Sequence, residues 1–160
     1  MNCTHDCENC SHDSPNRNSQ SYKTQTYFPE KWETQNLLEQ HAEIVQFHHE
    51  DKCDTCIFLQ TTIIDLLNTT FAVESEKGLI IYHSVTTNYA ENLALKQTFS
   101  VMEEDICSSI YIEGEHTNIE LWRNVFLLAE EQPESVKEHL IERIRALIEK
   151  IQKMEKKDED

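Results

Sequence analysis

Apolar side chains return along this chain in several rhythms, and each rhythm predicts an element. From Lys31 onward, Trp32, Leu37, Leu38, Ile44, Val45 and Phe47 recur at spacings that suit a helix better than a strand. After Cys56, the residues Ile57, Phe58, Leu59, Ile63, Ile64, Leu66 and Leu67 return every three or four positions, which favours a buried helix. The β-branched run Thr61, Thr62, Ile63, Ile64 would also fit a strand. Phe71 to Glu74 and Leu79 to Val85 flank Glu76-Lys77-Gly78, the pattern of a β-hairpin. Thr86, Thr87 or Asn88 can then cap a helix running to about Glu104, with Tyr89, Leu93, Phe99 and Met102 inward.

The second half of the chain is more regular. Cys107 to Glu113 alternates, with Ile110 and Ile112 on one face, and ends at Gly114, which predicts a strand. Ile119 to Leu128 fits a strand or a helix capped by Thr117 or Asn118, and its first half is expected to be strand. Pro133 suits a first helical turn, because its missing amide proton has no helical partner there, and Glu134 complements the positive end of the helix dipole. Leu140, Ile144, Leu147, Ile151 and Met154 form a stripe widened by Ile141 and Ile148, so a helix is expected from about Glu134 to Lys156. The proximal half of that stripe suits packing on a sheet. Leu147, Ile151 and Met154 are expected to meet a protein partner or a second copy of the chain.

Residues 1 to about 28 hold Asn, Asp, Ser, Thr and Gln with almost no aliphatic side chain, too little apolar surface to offset the entropy of ordering. The expected organisation is therefore a disordered Cys/His-rich tail over 1–28, a core domain over 29–131 and an amphipathic terminal helix over 132–160. The fold class is α+β, a small antiparallel sheet with packed helices. In element order, residues 51 to about 157 are similar to the small profilin-like and roadblock-like regulatory domains, and the start of the hairpin resembles a sensory PAS core. The resemblance implies a regulatory fold and brings no functional residue with it.

Charge narrows the partners. Fourteen basic against thirty acidic residues give a formal charge of −16, which repels phosphate backbones and anionic membranes. Lys150, Lys153, Lys156 and Lys157 alternate with Glu149 and Glu155 and precede Asp158, Glu159 and Asp160, so they describe a solvated helix end, not a basic patch. Neither nucleic acid nor membrane is an expected partner. No apolar run approaches the roughly 20 residues that cross a bilayer, and no basic-then-apolar leader opens the chain, so a cytoplasmic protein is expected. Its alternative is a protein assembled into a spore or particle surface.

The visible chemistry lies in six cysteines and eight histidines. Cys7-x2-Cys10 and Cys53-x2-Cys56 could together complete a tetrahedral zinc site, with Cys3, His5, His12, His48 and His49 as alternate ligands. The Cys3, Cys7, Cys10 spacing also matches iron–sulfur ligation, but a chain with two glycines and no large barrel has no room for that chemistry. In an oxidised layer the tail thiols could instead cross-link neighbours. Cys53-Asp54-Thr55-Cys56 has thioredoxin-type spacing, with Glu50, Asp51 and Asp54 opposing a thiolate. Cys107 is expected in the core, and His83 and His116 at the surface. No Gly-x-Ser-x-Gly elbow or glycine-rich phosphate loop is present, and the adjacent Glu103 and Glu104 are expected to be simply solvated. These features favour a non-enzymatic regulatory or adaptor protein that binds a protein partner, with its Cys/His groups binding zinc or sensing thiol state. A cross-linked surface component and a thiol-redox protein using Cys53 and Cys56 are the alternatives.

Overall fold

The computed structural model describes the backbone of residues 24–27, 37–101 and 103–159 and the side chains of 37–101 and 103–156. It is an α+β structure built on a five-stranded mixed sheet of order β1-β3-β2-β4-β5. The strands are β1 (Thr24–Tyr27), β2 (His41–His48), β3 (Ile80–Thr86), β4 (Asp105–Ile112) and β5 (Glu115–Leu121). The helices are α1 (Asp54–Asn68), α2 (Ala72–Glu76), α3 (Leu93–Phe99), α4 (Arg123–Glu131) and α5 (Val136–Glu159).

Strand β2 is central and every one of its residues is buried. It pairs in parallel with β3 and antiparallel with β4. Parallel pairing requires a crossover, and α1 with α2 supplies it, so residues 41–86 form a βαβ unit. The helix expected over 31–47 is thus corrected: its 41–47 portion is strand, and 31–36 lie outside the described residues. A strand buried on both faces loses the apolar–polar alternation that would identify it.

The expected hairpin at 71–85 is also corrected. Its first arm is the short helix α2, closed by a Schellman motif: Leu79 N–H donates to Glu74 O at 3.0 Å and Gly78 N–H to Ser75 O at 3.1 Å. That motif needs a left-handed residue, which Gly78 provides at φ 80°. Helix α3 ends at Phe99, because Ser100 turns left-handed at φ 57°, well short of Glu104. Within it Leu93 points outward, 53% exposed, and Phe99 inward; Met102 lies outside the described residues.

The other elements largely follow their pattern. α1 is a helix, β4 is a strand, and α4 takes the second half of the ambiguous 119–128 stretch, but β5 starts at Glu115, before the expected Ile119, and pairs with β4 as a hairpin. Glu113 and Gly114, both at positive φ, make the two-residue turn that matches strand twist.

Helices α1, α4 and α5 cover one face of the sheet, burying Leu59, Ile63, Val125, Leu140, Ile144 and Ile151 against Ile44, Ile80 and Ile110. The distal α5 residues expected to meet a partner pack on the chain's own core: Ile151 is fully buried, Leu147 is buried and Met154 packs against the same cluster. The opposite face carries a smaller cluster of Val45, Phe47, Val85, Cys107, Phe99 and Val101 at α3. No helix among the described residues is long and apolar enough to cross a membrane.

Candidate dithiol and metal site

β2 ends at His48, and after a loop the chain enters α1 at Cys53. Two braces hold that loop: Glu50 N–H donates to Asn88 Oδ1 at 2.9 Å, and Tyr89 Oη donates to Glu50 Oε2 at 2.8 Å. Cys53 is the N-cap of α1, with extended backbone, and its Sγ accepts the Cys56 amide at 3.4 Å. A sulfur therefore takes the capping role that an oxygen usually fills.

The C-x-x-C spacing sets both thiols on one turn, with Sγ atoms 3.2 Å apart. Cys53 is exposed and Cys56 fully buried. Burial pushes the Cys56 thiol well above its ordinary range, and the hydrogen bond with Cys53 and the Glu104 carboxylate push it further the same way. The backbone beneath Cys56 is anchored to the sheet: Gln46 Nε2 donates to Cys56 O at 3.0 Å, and Tyr82 Oη donates to Gln46 Oε1 at 2.6 Å.

Glu104, on the segment entering β4, stands 3.9 Å from Cys53 Sγ through Oε1. Among the described residues, Cys53, Cys56 and Glu104 are the one group whose donor atoms all lie within 4.8 Å of one another, and they could hold a metal ion. Glu104, expected to be simply solvated, stands beside the two thiols, and only folding brings it there. Of the alternate ligands, His48 has both ring nitrogens engaged. Its Nδ1–H donates to His49 O at 2.8 Å, so its Nε2 accepts from Ser84 Oγ at 2.6 Å. Burial accordingly lowers the His48 pKa. His49 faces Thr87 Oγ1 at 3.4 Å and Glu103 at 4.0 Å. Cys3, His5, Cys7, Cys10 and His12 lie outside the described residues. Cys107 is fully buried on β4, and burial raises its thiol pKa.

A second cluster forms on the other face of the sheet, around residues expected at the surface. Glu43 Oε2 lies 2.9 Å from His41 Nε2, and Oε1 lies 3.4 Å from His83 Nε2 and 3.6 Å from His116 Nδ1. The side chains of His83 and His116 are only 19% and 18% exposed, which corrects their surface placement. Burial alone would raise the Glu43 pKa. Hydrogen bonds from His41 and His83, with the charges of His83 and His116, outweigh it and hold the carboxyl at about 2.

The register explains the convergence. His41 and Glu43 are two apart on one strand, so they share a face, and β5 carries a bulge opposite Ser109, with Asn118 at φ 53°. The extra residue lets His116 before it and Ile119 and Leu121 after it line the same side. The usable sequence signal was the His41-x-Glu43 alternation, hidden by the helical reading of that stretch.

No protein-family model, no curated protein and no solved structure matches this chain. The geometry of the two clusters therefore carries the functional reading by itself.

Proposed function

We propose that this chain is a thiol–disulfide exchange protein in which Cys53 attacks and Cys56 resolves. One observation carries the reading: an exposed thiol caps the crossover helix of a βαβ unit, and a buried thiol sits one turn in with its sulfur 3.2 Å away. A C-x-x-C beside a βαβ unit is the setting of thioredoxin-type dithiols. That placement moves the thiol-redox alternative ahead of the adaptor reading, whose expected contact stripe on α5 is largely buried.

The Cys53 thiolate attacks one sulfur of a partner disulfide, forming a mixed disulfide and releasing the partner's other sulfur as a thiol after protonation. Cys56 then loses its proton and attacks Cys53 Sγ, which expels the partner's second thiolate. Two electrons pass to the partner, and Cys53–Cys56 becomes a disulfide. The high pKa of Cys56 keeps it protonated until the mixed disulfide forms. Ile57 and Phe58, 48% and 38% exposed, offer apolar contact to a protein partner beside the thiols.

The test is reduction of a protein disulfide with dithiothreitol as the terminal reductant. The wild-type chain should accelerate it, Cys53→Ser should not, and Cys56→Ser should trap a mixed disulfide through Cys53. Equal partner labelling at Cys53 and Cys56, or no acceleration by the wild type, would overturn the assignment.

The three converging donors support a second reading, zinc held by Cys53, Cys56 and Glu104 with one coordination position left for water or a further ligand. Zinc would then mask the dithiol and make its reactivity metal-dependent. Under reducing conditions, Cys53→Ser should lower the zinc stoichiometry by one ion per chain if this reading holds.

A further inference from the structure

We propose that His41, Glu43, His83 and His116 form a second metal site, for a divalent first-row transition ion, on the sheet face opposite α1. The proposal is independent of the dithiol chemistry. Its starting point is the tautomer of His41. His41 Nδ1 lies 2.8 Å from Leu38 O, and a carbonyl oxygen can only accept, so Nδ1 carries the proton. Nε2 of the neutral ring then presents a lone pair to Glu43 Oε2 at 2.9 Å. Two lone pairs at that separation require a cation between them, which is either a second proton on the ring or a metal ion.

The surroundings favour the metal. Two more imidazole nitrogens stand at 3.4 and 3.6 Å from Glu43 Oε1, giving a donor set of three nitrogens and a carboxylate. Ligand atoms sharing a tetrahedral ion at about 2.1 Å are themselves about 3.4 Å apart, which the carboxylate–imidazole separations match and the imidazole–imidazole separations exceed. Imidazole with carboxylate suits zinc, iron, nickel or copper better than calcium or magnesium. His41 donates its distal N–H to a backbone carbonyl, the outer contact that fixes the tautomer and orientation of metal-binding histidines.

Exposure fits as well. His41 and Glu43 form a floor at 7% and 8% side-chain exposure, and the half-open His83 and His116 form a rim that admits an ion from solvent. All four ligands stand on strands. The imidazoles approach the carboxylate from different sides, and no three of the four residues bring their donor atoms within 4.8 Å of one another. Loading therefore turns the rim histidines inward, toward the floor.

The test uses the full chain with Cys3, Cys7, Cys10, Cys53 and Cys56 all changed to serine, so that neither the dithiol nor the tail thiols can bind. Zn2+ and Co2+ are titrated separately, with imidazole resonances followed by NMR and the Co2+ visible spectrum recorded. The expected result is one ion per chain, shifts at the rings of His41, His83 and His116, and Co2+ bands without sulfur charge transfer. Glu43→Gln and, on the half-open rim, His83→Ala should each weaken binding at least tenfold. Should Glu43→Gln fail to fold, His83→Ala alone carries the comparison. Unshifted rings on addition of Zn2+, or His83→Ala binding as tightly as its parent, would overturn the metal site and leave His41 as an imidazolium paired with Glu43.

Discussion

At its C-terminal end β2 runs into a loop and the first turn of α1, where Cys53 and Cys56 meet Glu104. At its N-terminal end the same strand carries His41 and Glu43, whose partners come from β3 and β5. The first group is assembled from a local motif plus one residue from across the fold, and its leading atom, Cys53 Sγ, is exposed. The second is assembled almost wholly by strand pairing and is largely shut from water. Local spacing suits a group that must meet a macromolecule, because a helix terminus projects. Strand pairing suits a group that must hold fixed geometry, because sheet positions are rigid. The difference predicts that changes at the dithiol end cost little stability, whereas changes at the histidine end cost more.

The sharpest break between the two ends is Cys53→Ser. Exchange activity should fall by at least about a hundredfold, since among the described residues no other exposed thiol stands at the helix terminus. The thermal midpoint of the same variant should move little, because serine oxygen keeps the capping acceptor that the Cys53 sulfur supplies. Activity assay and thermal melt on one preparation check both halves. A large loss of midpoint would make the dithiol a structural element.

The same contrast explains what could be read from the sequence. The C-x-x-C pair, α1, β4 and α5 were legible, because each depends on spacings inside one segment, whereas β5 starts at Glu115, ahead of the strand expected from Ile119. β2 was not, for a physical reason. Ala42, Ile44, Val45 and Phe47 are buried on both faces, and the polar residues His41, Glu43, Gln46 and His48 are buried among them, each with a partner supplied by folding. Once buried polar residues interrupt a central strand, its period is lost. Reading β2 as helix then displaced β3 into a hairpin and hid the parallel pairing. Glu104 was unreadable as a candidate donor, since 51 residues separate it from Cys53 in sequence.

The next largest effect separates the ends by pH, in metal-free protein with chelator present. Glu43 is held at about 2 against an ordinary value of 4.5, by His41, His83 and His116, the titratable groups that face it. Between those values the unfolded chain binds a proton that the folded chain does not, so stability rises with pH across the window and falls as pH drops through it. The contribution is about 3 kcal/mol, present in full above pH 4.5 and lost toward pH 2. His48 and His116 act in the same direction at higher pH, because burial lowers both below their unfolded value. Urea unfolding from pH 7 to 3 should show this slope, and Glu43→Gln should flatten its lower part. A pH-independent midpoint would refute the ion-paired hub.

A smaller effect divides redox from metal binding at the first site. Burial holds the Cys56 thiol high and Glu104 raises it further, so Glu104→Gln should ease its ionisation and leave exchange equal or faster, by up to about tenfold. The same change removes a donor and should weaken zinc by at least about tenfold. Slower exchange with unchanged zinc affinity would invert both assignments and make Glu104 a proton acceptor for Cys56.

The least effect is expected at His49, next to the dithiol loop and once a candidate ligand. Its ring is 43% exposed, 4.0 Å from the Glu103 carboxylate, and its hydrogen bond to Thr87 is long at 3.4 Å. Replacing such a surface side chain changes stability by no more than about 0.5 kcal/mol. His49 also stands outside the group formed by Cys53, Cys56 and Glu104. His49→Ala should therefore alter zinc affinity less than about twofold, whereas loss of a true ligand would cost far more. A tenfold loss would mean that the loop closes over the ion and that His49 supplies the fourth donor. The dithiol end would then need a folding contribution from its loop, and the contrast with the strand-built histidine cluster would narrow.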